Sequence, residues 1–158
     1  MPFTKILVAN RGEIAIRVMR AASELRIPAV AIFSEEDRLA LHRFKAEEAY
    51  QVGKGRSPVE AYLDMDDIIR IARDSGCDAV HPGYGFLAEN PVFADRCREA
   101  RLVFIGPNPS VMRRLGNKIA ARKAAIEANV PVVPASESLP EDRAGILAAA
   151  EMLGLPVM

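Results

Sequence analysis

Apolar positions along the chain come in short runs separated by amphipathic stretches. Residues 5–9 (Lys-Ile-Leu-Val-Ala) and 29–33 (Ala-Val-Ala-Ile-Phe) are continuous apolar runs of strand length, the pattern of strands covered on both faces. Between them, residues 13–26 carry Ile14, Val18, Ala22 and Leu25 at helical spacing, which predicts one buried stripe. Strand, helix, strand over this distance is a βαβ unit with parallel strands. The pattern recurs. Further strands are predicted at 49–52, 79–81 and 102–105. A helix capped by Asp64 or Asp66 runs through Ile68, Ile69 and Ala72 to Gly76, and another starts at Pro91 and reaches Ala100. From Pro109 to Ala128 the pattern is helical, with Gly116 as a joint. The two prolines in 130–134 predict an edge strand or extended connector. A last helix covers 141–153, and 155–158 open as a further apolar strand.

The expected fold is therefore α/β: a Rossmann-like parallel sheet with helices on both faces over residues 1–107, followed by a helical C-terminal extension and connector over 108–158. The opening of a strand at the very end predicts a piece of something longer. No internal repeat or low-complexity tract interrupts this pattern.

Composition narrows the function classes. The chain has 158 residues, half of them hydrophobic and 27% charged, the balance of a globular protein with its own core. Acids and bases are equal at 21 each, so no net field draws the chain to nucleic acid or to anionic lipid. No apolar run has the ~20 residues needed to span a bilayer, and the N-terminus enters strand-like sequence at once, which predicts a cytoplasmic protein. Cys77 and Cys97 lack metal-ligand spacing and read as two buried thiols.

In parallel sheets ligands sit beyond the carboxyl ends of the strands, which directs attention to the loops 10–12, 34–37, 81–85 and 106–110. The first holds a single glycine where a dinucleotide site needs three, so an ordinary turn with Arg11 in an ion pair is favoured over NAD binding. Gly53-Lys54-Gly55 lacks the Walker spacing and reads as a surface turn. The loop His81-Pro82-Gly83-Tyr84-Gly85-Phe86-Leu87 is the richest. Its glycines free backbone N–H groups, Tyr84 suits a planar ligand, and Glu89 follows closely. Equally, Tyr84 packs on its own domain and His81 is a satisfied buried histidine; spacing alone leaves both open. His42 has no ligand partner in the sequence and reads as structural. Residues 113–123 hold Arg113, Arg114, Lys118, Arg122 and Lys123 and no acid. Arg114, Lys118 and Arg122 are spaced i, i+4, i+8 and are expected on one helix face, either solvated or in contact with phosphate. No complete catalytic set is present.

Taken together, four strings are similar in order and spacing to the biotin carboxylase family. They are Ala9-Asn10-Arg11-Gly12-Glu13-Ile14-Ala15, His81-Pro82-Gly83-Tyr84-Gly85-Phe86-Leu87-Ala88-Glu89-Asn90, Phe104-Ile105-Gly106-Pro107 and Leu115-Gly116-Asn117-Lys118. Residues 41–50 and 115–122 most resemble the pyruvate carboxylase branch. An acetyl-CoA or propionyl-CoA carboxylase subunit is the alternative within the family, and a non-enzymatic nucleotide-binding or interaction module the alternative outside it. The resemblance implies a pre-ATP-grasp domain of an ATP-dependent ligase. It implies ATP, Mg²⁺ or Mn²⁺ and biotin as cofactors, bicarbonate as substrate, and pyruvate converted to oxaloacetate. It assigns Lys118 to ATP, Tyr84 and Gly85 to the loop beside biotin with His81 and Glu89 as possible support, and Arg20 and Glu24 to a dimer interface. Its metal ligands fall outside this chain. The implied partners are ATP-grasp, carboxyltransferase and biotin-carrier domains and a second copy in a homodimer or tetramer, with neither nucleic acid nor membrane. The chain alone is expected to be inactive and to bind ATP weakly, with a Kd in the millimolar range or above.

Overall fold

The structure is a computed structural model and describes residues 3–136, 139, 141–154 and 156–157. It divides into two units, Met1–Arg113 and Arg114–Met158.

The first unit is built on five parallel strands, β1 (Ile6–Val8), β2 (Ala29–Phe33), β3 (Glu48–Gln51), β4 (Ala79–His81) and β5 (Val103–Phe104), in the order β3-β2-β1-β4-β5. Leu7 lies opposite Val30 on one side and Val80 on the other. Alternation along the strands sends Leu7, Val30, Ile32 and Val80 to one face. There they pack with Tyr62 of α2 (Pro58–Tyr62), Ile68 of α3 (Met65–Asp74) and Phe93 of α4 (Pro91–Glu99). Ile6, Val8, Ala29, Ala31 and Ala79 face the other way, onto α1 (Gly12–Glu24). Helices thus cover both faces, and all five β2 residues are buried, which is why that strand reads as an unbroken apolar run.

The stripe on α1 differs from expectation. Its buried residues are Ala15, Met19 and Ala22, with Ile14 and Val18 half-buried, while Leu25 is 55% exposed. The helix ends at Glu24, and Arg26, at φ +58°, turns the chain so that Ile27, not Leu25, takes the buried place in the cluster with Ala22. Small side chains at 15 and 22 let the helix sit close on the alanines of the sheet. Asp64 caps α3 by accepting from Asp67 N at 3.2 Å, and Asn90 caps α4 by accepting from Val92 N (2.9 Å) and Phe93 N (3.1 Å). Two elements escape the periodicity reading, a 3₁₀ turn at Leu41–Lys45 and α2. The latter had a local signal, Ser57-Pro58-Val59-Glu60: the Glu60 carboxylate accepts from Ser57 N at 3.1 Å and from its hydroxyl at 2.6 Å, with proline in the first turn. Both cysteines are free and buried; burial pushes the Cys97 thiol up to about 12.

The division between the units falls within helix α5 (Pro109–Leu115), and the second unit holds α6 (Lys118–Glu127) and α7 (Arg143–Leu153). Asn117 caps α6, accepting from Ile119 N and Ala120 N at 3.0 and 3.1 Å. This corrects the expected single stripe: Arg114 belongs to α5, and Lys118 and Arg122 to α6, because the cap starts a new helix. Residues 130–134 form a connector without strand pairing. Asp142 caps α7 through Gly145 N at 2.8 Å. No residue of α6 or α7 is buried. Of the strand expected at 155–158, Leu155 and Met158 lie outside the described residues. Among the described residues no helix is long and apolar enough to cross a membrane.

Candidate functional site

The strand order reverses between β1 and β4: the chain leaves β1 toward β2 on one side and β4 toward β5 on the other. Open parallel sheets offer a crevice at such a switch point. Here the loops after β1 and β4 meet. Asn10, 2% exposed, donates through Nδ2 to the carbonyl oxygens of Pro82 (2.7 Å) and Tyr84 (2.9 Å), and its Oδ1 accepts from Arg11 N at 2.9 Å. A side chain therefore fills the place where a dinucleotide fold keeps bare backbone. Gly83 is required by this approach. Its φ is +67°, and a Cβ there would lie 2.6 Å from Asn10 Nδ2 and 2.8 Å from Ile14 Cγ2.

The ion pair expected of Arg11 is present, and its partner is Asp37. Arg11 Nε and Nη2 each donate to one Asp37 oxygen at 2.6 Å. The Tyr62 hydroxyl donates to Asp37 Oδ2 at 2.7 Å and accepts from Ser34 N at 3.2 Å. The Arg11 guanidinium holds the Asp37 carboxyl below the usual carboxylate range, with further help from Tyr62. Burial, reinforced by the Asp37 carboxylate, pushes the Tyr62 hydroxyl well above its ordinary value. Tyr62 was not a candidate on sequence grounds, whereas Asp37 belongs to the 34–37 loop marked for its place after β2.

Tyr62 also stacks on Phe86, with ring centroids 5.3 Å apart and planes at 27°. Between them and Asn10 lies the loop His81–Phe86. Tyr84 at its apex is 76% exposed, so it does not pack on its own domain. His81 is half-buried, and its Nδ1 accepts from Gly83 N at 3.0 Å; burial lowers its pKa. Glu89 is exposed. His42 is structural as read: fully buried, with Nε2 3.1 Å from the Ile32 carbonyl, while its Nδ1 is buried without a hydrogen-bond partner among the described residues.

The remaining candidates lie elsewhere. Arg20 and Glu24 are exposed on α1, with no ion pair between them among the described residues. The Gly53–Gly55 turn is held by Gly53 N donating to Asp67 Oδ2 at 2.8 Å, and Arg56 pairs with Asp64 at 2.6 Å. In the second unit, Lys118 and Arg122 line a groove of about 700 Å³ with Val132, Val133 and Leu153. Its charged lining is cationic, whereas Arg114 pairs with Glu127 at 3.2 Å. Such a groove suits a ligand with an anionic end and an apolar body. Among the described residues no three His, Cys, Asp or Glu side chains converge as a metal site.

Comparison with known proteins gives these arrangements a context. Residues 2–112 match the family described as biotin carboxylase, N-terminal domain. The mitochondrial pyruvate carboxylase of Mus musculus is 56% identical over 137 residues, covering 87% of this chain and 12% of that protein. The crystal structure of a complete multifunctional pyruvate carboxylase from Rhizobium etli is 61% identical with a TM-score of 0.84, over 89% of this chain and 14% of that one. The biotin carboxylase domain of a thermophilic 2-oxoglutarate carboxylase bound to bicarbonate is 43% identical with a TM-score of 0.91, over 100% of this chain and 35% of that one. The chain thus spans about an eighth of the length of the curated relatives it matches.

Proposed function

The chain belongs to the biotin carboxylase N-terminal domain family, and from that premise we propose that it forms the first part of the biotin carboxylase region of a pyruvate carboxylase. In this reading the whole protein uses MgATP and bicarbonate to carboxylate biotin, then carboxylates pyruvate to oxaloacetate. The observation that carries the reading is the identity with pyruvate carboxylases, 56% and more over nearly nine-tenths of the chain. The proposed setting is cytoplasmic, alongside ATP-grasp, carboxyltransferase and biotin-carrier domains.

Each site residue then has a task. Lys118, with Arg122 beside it, offsets negative charge on the ATP phosphates, and the cationic lining of their groove supports this. ATP, when bound, supplies the phosphoryl group that activates bicarbonate. Tyr84 and Gly85 flank the biotin ureido ring, a role that the exposure of Tyr84 at the sheet's switch point supports. His81 fixes the base of that loop through Gly83 N, and Glu89 stands at its far end. Arg20 and Glu24, exposed on α1, face a second copy. The same reading assigns metal ligation to residues outside this chain.

The test is Lys118→Ala in the full-length protein. Bicarbonate-dependent ATPase activity is expected to fall by about tenfold or more. Unchanged activity would return the chain to a non-enzymatic nucleotide-binding or interaction module. One lysine does not make a phosphoryl-transfer site, so titration calorimetry of ATP into the 158-residue chain alone should give a Kd in the millimolar range or weaker.

A further inference from the structure

The turn that presents Tyr84 is made of conformations a chain does not hold unaided. Gly83, Gly85 and Phe86 have φ of +67°, +72° and +45°. A bulky residue such as Phe86 persists in the left-handed region only where its surroundings over-determine it. Two such holders grip the turn. After β1, Asn10 binds the carbonyls of Pro82 and Tyr84. From α2, the Tyr62 ring stacks on Phe86. Tyr62 is itself immobilised at 1% exposure, with its hydroxyl bonded to Asp37 and Ser34, and Asp37 is clamped by both donors of Arg11. A chain of fixed groups therefore runs from the loop after β1 to the far end of the turn, while the apex side chain stands in solvent.

We propose that Asp37, Tyr62 and Phe86 form a strut that positions the Tyr84–Gly85 apex for its ligand. They are positioning residues, acting through the turn. The inference rests on the reading of that apex as facing biotin.

The test uses the full-length protein, free biotin as the probe, and amide exchange in peptides covering residues 82–88. Phe86 is 37% exposed, so Phe86→Ala removes the stack without emptying the core. Exchange in 82–88 should quicken by about tenfold. The KM for biotin should rise by about fivefold or more, while the KM values for ATP and bicarbonate stay within about twofold. Phe86→Tyr, which keeps the ring, should restore wild-type behaviour, and Tyr62→Phe, which keeps the stack but loses the bond to Asp37, should fall between. Tyr84→Ala separates the two readings. If it raises the biotin KM while Phe86→Ala alters neither exchange nor KM, the strut is overturned and the biotin-facing assignment stands. If it leaves the biotin KM unchanged while Phe86→Ala quickens exchange, the biotin-facing assignment fails and the mechanical role of the strut is supported.

Discussion

Helices α1 and α7 have 13 and 11 residues, and α7 is the more apolar of the two, yet their surroundings run the other way. The first buries Ala15, Met19 and Ala22 against a sheet; the second buries nothing, and its Leu147 and Met152 are 53% and 80% exposed. The contrast extends to the two units. Among the described residues every buried apolar core position lies at or before Met112, while Ile119 and Ile126 of α6 remain about half exposed. Both helices are foreseeable from the sequence, so local pattern does not separate them. What separates them is tertiary packing, from which most helical stability derives. The first unit holds its loops on a packed frame, and the second presents Lys118 and Arg122 from helices without one.

The widest margin is expected between Ile32→Ala and Ile126→Ala. Ile32 is fully buried, and its truncation should cost about 2–5 kcal/mol in urea denaturation, against about 0.5 kcal/mol or less for Ile126. Equal losses at the two sites would break the contrast. A smaller effect sharpens it at the switch point. Gly83→Ala combines a positive φ with a collision against Asn10 and should cost about 1–3 kcal/mol, whereas Gly85→Ala, also at positive φ but in open space, should cost about 1 kcal/mol. Thermal melts of the two variants would show the difference, and a Gly85 variant worse than the Gly83 one would contradict the packing described.

The smallest expected effect is in pH dependence, and it belongs to the first unit alone. Both histidines of the chain lie there, and burial lowers the pKa of each. The unfolded chain takes up protons more readily, near the ordinary histidine value of about 6.5. Stability is therefore full above that pH and declines as pH falls through it. Urea midpoints measured from pH 7.5 to 5.5 should drop, and His42→Gln should flatten the curve. An unchanged slope in that variant would remove His42 from the account.

Much of the frame was legible because its signals are local. Strands covered on both faces are unbroken apolar runs, as at 29–33, and Asp64 and Pro91 mark the starts of their helices. The exposed position of Leu25 was not legible, because it follows from where α1 ends and how Arg26 turns. The break between Arg114 and Lys118 was hinted at by Gly116, but the helical spacing obscured it. At the site, Arg11 was foreseen in an ion pair and the 81–87 loop as the richest chemistry. The partnership of Arg11 with Asp37, and of Tyr62 with Phe86, joins residues about 25 apart in the chain. Such pairings arise from topology and leave no local trace.

Cys77 and Cys97 are both buried in the first unit, and burial raises the pKa of both. While that unit is folded, its sulfurs are shielded and burial disfavours their thiolates, so alkylating reagents react slowly there. Their capture becomes a stopwatch for opening of the sheet, blind to whatever α6 and α7 do. A single engineered thiol on the surface would carry a dye or spin label with little background from the native pair.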